Sequence, residues 1–169
     1  MDWRKVRDKI NREAEKIWSA PPDEILRLFK YQIVPSGQGI NGQAFTTMVF
    51  ASGDIRSLAY YNVLGLTRVV DEPSFTVEQM KILFKQSVPI SAEFLWTCGI
   101  EKIWELVQDV LGALDTVKTK DDFRELIDAL MFYAGNLHDW AHWFFPWYIG
   151  ELYPQRKADD IKKMAELMG

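Results

Sequence analysis

Two histidines, His138 and His142, are the residues whose type and spacing most directly indicate chemistry. They are the only histidines in the chain, and they stand four positions apart in a segment predicted to be helical. Both rings should therefore project from one helix face, which is a spacing that lets two imidazoles bind one metal ion. The zinc motif H-E-x-x-H is incomplete, because Asp139 follows His138. A metal site would need a third ligand from another helix.

Glu93 and Cys98 are the candidates for that third ligand. Both lie in the apolar stretch PISAEFLWTCGI, where a carboxylate is costly to bury unless it has a partner. Glu93 could complete a divalent-metal site, or it could pair with Arg56. If the site is catalytic, His138, His142 or Glu93 would move protons as general acid or base. Cys98 has no activating base beside it in the sequence, which favours an inert buried thiol.

Aromatic residues surround the histidines in the sequence and suggest a pocket. Rings at helical spacing usually belong to a core, and the histidines could simply be hydrogen-bonded core residues. We favour a third reading, in which two imidazoles in a ring-lined pocket bind a small polar or acidic molecule. The crowded aromatic residues are Trp140, Trp143, Phe144, Phe145 and Trp147, with Trp96 and Trp104 on other helices.

Arg56 and Tyr60 are further candidates for this pocket. A guanidinium matches a carboxylate bidentately, although Arg56 could instead form a structural salt bridge with Asp54 or Glu93. The predicted ligand-binding residues come from several segments of the chain. They are His138, His142, Glu93, Arg56, Tyr60, Trp96 and Trp143.

The glycines of residues 37–42 spell G-x-G-x-x-G, the pattern of a dinucleotide-binding turn. That turn belongs to a βαβ unit, and no second parallel strand follows here. We interpret residues 33–42 as a loop between helices, and no organic cofactor is predicted.

The periodicity of apolar residues predicts an all-α bundle of about seven helices. Residues 2–18 form an amphipathic helix with Trp3, Val6, Ile10, Ala14 and Ile17 on its apolar face. Pro21-Pro22 opens a second helix, and residues 43–70 favour two helices, or one kinked near Gly53, over a strand near 45–50.

Capping patterns place the later helices. Thr76 with Gln79 and Thr119 with Asp122 match the N-terminal capping pattern of helices, the second of which is expected to run over about 120–145. Pro89 is expected to open a separate helix over 90–97, followed by a helix over about 100–114. We expect one domain over residues 1–169, with a core of about 2–148 and a tail helix at 157–168.

Composition excludes several classes of function. The net charge is −4 and no basic cluster occurs, so no nucleic acid is expected as a partner. No apolar run is long enough to span a bilayer, and no secretory signal is recognised. The single cysteine rules out an intrachain disulfide and favours a cytoplasmic protein.

Four stretches of the chain resemble the C-terminal helical-bundle domain of the cucumopine synthase family. They are PPDEIL at 21–26, GINGQAFTTMVFASGDIRSLAYY at 39–61, PISAEFLWTCGIE at 89–101 and NLHDWAHWFFPW at 136–147. The resemblance implies a helical bundle. The family name implies opine formation, in which an amino acid condenses with a 2-oxo acid and the imine cyclises. Full-length members also carry an N-terminal cyclophilin-like domain, of which we expect no counterpart in these 169 residues.

The sequence thus favours a bundle that binds a small polar or acidic ligand around the two histidines. Two alternatives stay open. One is a metal-dependent enzyme that uses His138, His142 and Glu93. The other is a non-catalytic interaction domain, possible as a homo-oligomer, in which an exposed apolar patch such as that of Trp3 or Trp147 forms a self-complementary interface.

Overall fold

The described part of the chain is built from helices. In this computed structural model those residues are 1–21, 70–97 and 101–144, together with Glu24, Ile25, Leu28, Ile55, Val63, Gly65 and Leu66. The four α-helices are α1 (Trp3–Ser19), α2 (Val77–Thr97), α3 (Glu101–Ala113) and α4 (Lys120–Asp139). A 3-10 turn (Leu114–Thr116) follows α3, and a π-helix (Trp140–Phe144) continues α4. The all-α class is confirmed, whereas the expected count of about seven helices is not.

Helix α1 matches the sequence pattern closely. Asp2 caps its start, where the carboxylate accepts a hydrogen bond of 2.7 Å from the backbone N–H of Arg4. Such a cap satisfies one of the amide groups that have no partner within the helix. The predicted apolar face is confirmed, since its members are all buried: Trp3, Val6, Ile10, Ala14 and Ile17.

Helix α2 begins as predicted but does not break at Pro89. Thr76 and Gln79 form reciprocal side-chain-to-backbone hydrogen bonds of 2.9 and 3.2 Å at its start. The prediction that Pro89 opens a new helix is wrong, because α2 runs through it to Thr97. A proline within a helix removes one hydrogen bond, but Val88 and Ala92 on either side of it are fully buried. Packing in the core therefore outweighs the local break.

Helix α4 supplies nine buried residues to the described core and leads to the histidines. Thr119 and Asp122 form the predicted capping box. One face of the helix is buried along its whole length, with Phe123, Leu126, Ile127, Leu130, Tyr133, Ala134, Leu137 and His138 among the buried residues. The α-helix ends at Asp139 rather than near 145, because the chain widens there into the π-helix.

Helix α1 packs along α4, and α2 packs on α3. The amide of Asn136 donates a hydrogen bond of 3.2 Å to the carbonyl of Ala14, which joins α4 to α1. The backbone N–H of Trp3 donates to Thr116 Oγ1 at 2.9 Å and so ties the start of α1 to the 3-10 turn. The contact of Asn136 holds the end of α4 that carries the histidines against α1.

Several predicted features lie outside the described residues. The loop at 33–42 and the tail helix at 157–168 lie wholly outside them, as do most residues of the predicted helix after Pro21-Pro22 and of the predicted helices at 43–70. Within the described residues, no helix is both long enough and apolar enough to cross a membrane.

We expect the Asp122 carboxylate to stabilise the protein by an amount that depends on pH. Burial raises its pKa, but hydrogen bonds from the backbone N–H groups of Lys118 and Thr119 outweigh burial and lower the pKa below 3.8. When folding lowers the pKa of a carboxyl group, the ionised group stabilises the folded protein at pH values above the pKa of that group in the unfolded chain. This stability is lost as the pH falls through the pKa of the group in the folded protein. We expect Asp122→Ala to lower the free energy of unfolding by about 0.3–1 kcal/mol at neutral pH, and by less in acid.

Urea unfolding of the wild type and Asp122→Ala at several pH values measures this difference. Asp121→Ala is the control, because Asp121 lies in the same turn but faces Arg124 at 3.7 Å instead of capping the helix. An equal loss at neutral and acidic pH would show that the Asp122 charge does not stabilise α4.

Candidate functional site

The candidate site lies where α4 passes into the π-helix. His138 is in the last turn of α4, and His142 and Trp143 belong to the π-helix. A π-helix widens the turn, because its hydrogen bonds span five residues instead of four, and such segments occur frequently at functional sites. The change of helix type therefore coincides with the residues that the sequence analysis selected.

The two histidines lie together, as their spacing predicts. Their rings stack with centroids 5.3 Å apart and an angle of 13° between planes. His138 is buried, with 7% of its surface exposed, whereas His142 is exposed. The pair thus has one imidazole anchored in the protein and one that faces solvent.

Asp139 determines the orientation of the buried imidazole. Its Oδ1 lies 3.0 Å from Nδ1 of His138. An ionised carboxylate can only accept a hydrogen bond, so Nδ1 carries the proton and donates a hydrogen bond to Asp139. The second ring nitrogen, Nε2, is then an acceptor in neutral His138 and a donor in the charged form. A carboxylate beside one nitrogen is how many functional histidines are held in a single tautomer.

The tryptophans of this segment have different surroundings. Trp143 is 68% exposed, and its ring meets His142 edge-on at 4.6 Å between centroids. Trp140 is 2% exposed and belongs to the core. The segment therefore presents His142 and Trp143 at the surface next to His138, whereas Trp140 lies in the core. We call His138, His142 and Trp143 the histidine–tryptophan cluster.

The other predicted site residues are not joined to this cluster by the described structure. Glu93 is exposed on α2, which corrects the expectation that it lies in apolar surroundings and needs a buried partner. The backbone of Trp96 lies in α2, but its side chain is outside the described residues, as are Arg56, Tyr60 and Cys98. Their roles stay predictions.

The histidine pair does not have the arrangement expected of two metal ligands. An imidazole nitrogen binds a metal in the plane of its own ring, and two rings stacked nearly parallel share no nearby point in both planes. Among residues 1–21, 70–97, 101–144 and the isolated described positions, no three His, Cys, Asp or Glu side chains are grouped to hold a metal ion. Metal binding stays a prediction. It requires either that the two imidazole rings leave their stacked arrangement or that other residues supply metal ligands.

Sequence reasoning missed Tyr133, which has an unusual environment. It is 1% exposed on the buried face of α4, and its hydroxyl has no hydrogen-bond partner within the described structure. Burial raises the pKa of this hydroxyl, and the carboxylates of Glu13 and Glu105 raise it further. The sequence did offer one indication of this environment. The hydroxyl of Tyr133 stands at a helix position whose neighbours on the same face, Leu126, Leu130 and Leu137, are all apolar.

Comparisons with known proteins identify the family. The model of the cucumopine synthase C-terminal helical bundle domain matches residues 3–144. The chain therefore belongs to this family, and the resemblance seen in the sequence is confirmed. No curated protein matches the chain.

A solved structure, that of McbB in complex with tryptophan, has the same helical fold. It superposes with a TM-score of 0.69 at 30% sequence identity, over 89% of this chain. The chain spans 48% of the length of McbB. McbB thus contains a region similar to this bundle and about as much chain again.

Proposed function

We propose that this member of the cucumopine synthase C-terminal helical bundle family binds a small molecule whose carboxylate lies against the histidine–tryptophan cluster. The observation that carries the proposal is the stacked pair of imidazoles, one buried and held by Asp139, the other exposed beside Trp143. The exposed imidazole of His142 can supply an N–H donor at a place where a solvent-borne anion reaches it.

The chemistry of each member supports a carboxylate with an apolar or aromatic body. His142 is exposed, and its ring nitrogens donate to an anionic oxygen more strongly than to a neutral one. Trp143 offers a large exposed ring on which the apolar part of a ligand packs. His138 stacks beneath His142 and limits the orientations that the exposed ring adopts. The ligand is therefore held by a charge-assisted hydrogen bond at one end and by ring contact at the other.

The relatives favour the same ligand class. McbB binds tryptophan, which has both a carboxylate and an aromatic ring. Both reactants that the family name implies, an amino acid and a 2-oxo acid, carry carboxylates. We include Arg56, Tyr60 and Trp96 in the proposed pocket, where Arg56 would pair with the carboxylate.

Native mass spectrometry of the purified chain tests the proposal. We expect added L-tryptophan to give a one-to-one adduct with the wild type, and expect the adduct to be lost in the double variant His138→Ala, His142→Ala. The matched control is Trp18→Ala, which removes a different exposed tryptophan, 49% exposed on α1, and should leave the adduct in place.

Other outcomes would support the alternatives instead. A stoichiometric divalent-metal adduct that disappears in the double variant would favour the metal-dependent enzyme. An oligomer that is unchanged in the variant, with no adduct of either kind, would favour an interaction domain. Either result would contradict the carboxylate-binding proposal.

A further inference from the structure

Helix α2 carries strongly exposed apolar side chains on the face that does not pack in the core. Ile82 is 52% exposed and Ile90 is 67% exposed, and Pro89 beside them is half-buried. Apolar residues that stand singly on a surface are ordinary, whereas a group of them rimmed by polar residues marks an interaction site. The outer face of α2 therefore has an apolar centre that nothing in the described structure covers.

Two residues of opposite charge flank this apolar centre at equal distances. Lys85 precedes Pro89 by four residues and Glu93 follows it by four, so both lie one turn away on the same face of the helix. Both side chains are exposed, and neither forms an ion pair within the part of the chain that the structure describes. We call Ile82, Lys85, Pro89, Ile90 and Glu93 the α2 surface.

The order of these residues makes the α2 surface complementary to itself. In a dimer with a two-fold axis, residue i of one chain meets residue j of the other, and j meets i. If two α2 helices pack antiparallel with the axis at Pro89, Lys85 and Glu93 each lie about 6 Å along the helix from that axis, on opposite sides of it. Each Lys85 then lies opposite Glu93 of the partner subunit. A parallel packing would instead place like charges together, so the charges favour the antiparallel contact.

We propose that the α2 surface binds a second copy of this chain, in an antiparallel homodimer with its two-fold axis at Pro89. The apolar centre packs against its counterpart, and two Lys85–Glu93 pairs close the rim. A contact made by one helix of each copy falls short of the roughly 800 Å² per partner of a stable interface, so we expect a weak dimer. The α2 surface shares no residue with the histidine–tryptophan cluster, and this interface does not depend on the function proposed above.

Exchange of the two charges tests the proposal. The dissociation constant of the dimer is measured by sedimentation velocity at chain concentrations up to about 1 mM, at low ionic strength because salt screens exposed charges. Lys85→Glu or Glu93→Lys alone places like charges opposite each other twice in each dimer, and either should raise the dissociation constant roughly tenfold or more. The double variant Lys85→Glu, Glu93→Lys restores two opposite pairs, so its dissociation constant should return to near the wild-type value.

Matched controls separate the α2 surface from the rest of the molecule. Lys5→Glu makes the same change of charge at an exposed position of α1 and should leave the dissociation constant unchanged. Ile90→Gln removes the apolar side chain from the centre of the interface and should weaken the dimer roughly tenfold or more, because two isoleucines lose their contacts. Trp143→Ala removes a side chain of similar exposure, 68%, from another surface and should have no effect on the dimer.

Two results would overturn the proposal. One is a wild-type chain that stays monomeric at about 1 mM, which would mean that the α2 surface takes a different partner or none. The other is a wild-type dimer whose double variant is as weak as the single variants, or that neither single variant weakens, because Lys85 and Glu93 would then not meet across the interface. Recovery in the double variant decides the question even if one single variant is poorly folded, since a folding defect is not repaired by a second surface substitution.

Discussion

Replacing Trp140 by alanine is expected to lower the free energy of unfolding by about 3–5 kcal/mol, the range for large aromatic residues in a core. Trp140 is 2% exposed and stands at the junction of α4 and the π-helix. Its removal leaves a cavity that rigid neighbours on α4 fill only in part. Urea unfolding followed by circular dichroism measures the loss, as a lower midpoint with little change in slope.

Trp143 provides the matched control for this experiment. It is the same residue type three positions later, but it is 68% exposed. Trp143→Ala should change stability by no more than about 0.5 kcal/mol, as surface substitutions usually do. Equal losses in the two variants would contradict the division of the segment into a core tryptophan and a surface tryptophan.

Replacing His142 by phenylalanine is expected to weaken binding of L-tryptophan roughly 10- to 150-fold. Phenylalanine keeps an aromatic ring that can stack on His138, which His142 contacts at 5.3 Å between centroids, but it has no N–H donor. Losing a hydrogen bond to a charged group costs about 1.5–3 kcal/mol, and each 1.4 kcal/mol is about tenfold in affinity. Isothermal titration calorimetry gives the two dissociation constants.

Trp18→Ala serves as the surface control in the same titration. Trp18 lies on α1, so its removal should leave the dissociation constant unchanged. If His142→Phe binds tryptophan as tightly as the wild type does, the exposed imidazole is not the group that holds the carboxylate.

Much of the fold could be predicted because its signals are local. The apolar face of α1 repeats at helical spacing from Trp3 to Ile17, and each predicted member is buried. The capping pairs Thr76–Gln79 and Thr119–Asp122 are short-range patterns of side chain and backbone, and both form.

Two features of the helices depend on tertiary packing and could not be predicted in this way. Pro89 is a local breaker, but the burial of Val88 and Ala92 keeps α2 continuous. The π-helix at 140–144 has no distinct sequence signature, because the apolar pattern of an α-helix continues through Trp140 and Ala141. A π-turn is wider and rotates Trp143 relative to Trp140, whereas the crowding of aromatic residues in the sequence assigned both to the pocket.

The candidate site could be predicted only in part for the same reason. Four-residue spacing was enough to bring His138 and His142 together. The exposure of Glu93 depends on which helices cover α2, and this is not a property of its neighbours in sequence. Tyr133 was missed because a missing hydrogen-bond partner is defined by the residues of other helices.

The most direct test of carboxylate recognition by the histidine–tryptophan cluster is a binding cycle with tryptophan and tryptamine, which lacks the carboxylate. Both ligands are titrated into the wild type and His142→Phe. We predict that the wild type prefers tryptophan by roughly tenfold or more and that the preference disappears in the variant, while tryptamine binds both proteins alike. An equal preference in both proteins would show that the carboxylate and His142 do not interact, and it would contradict the proposed function.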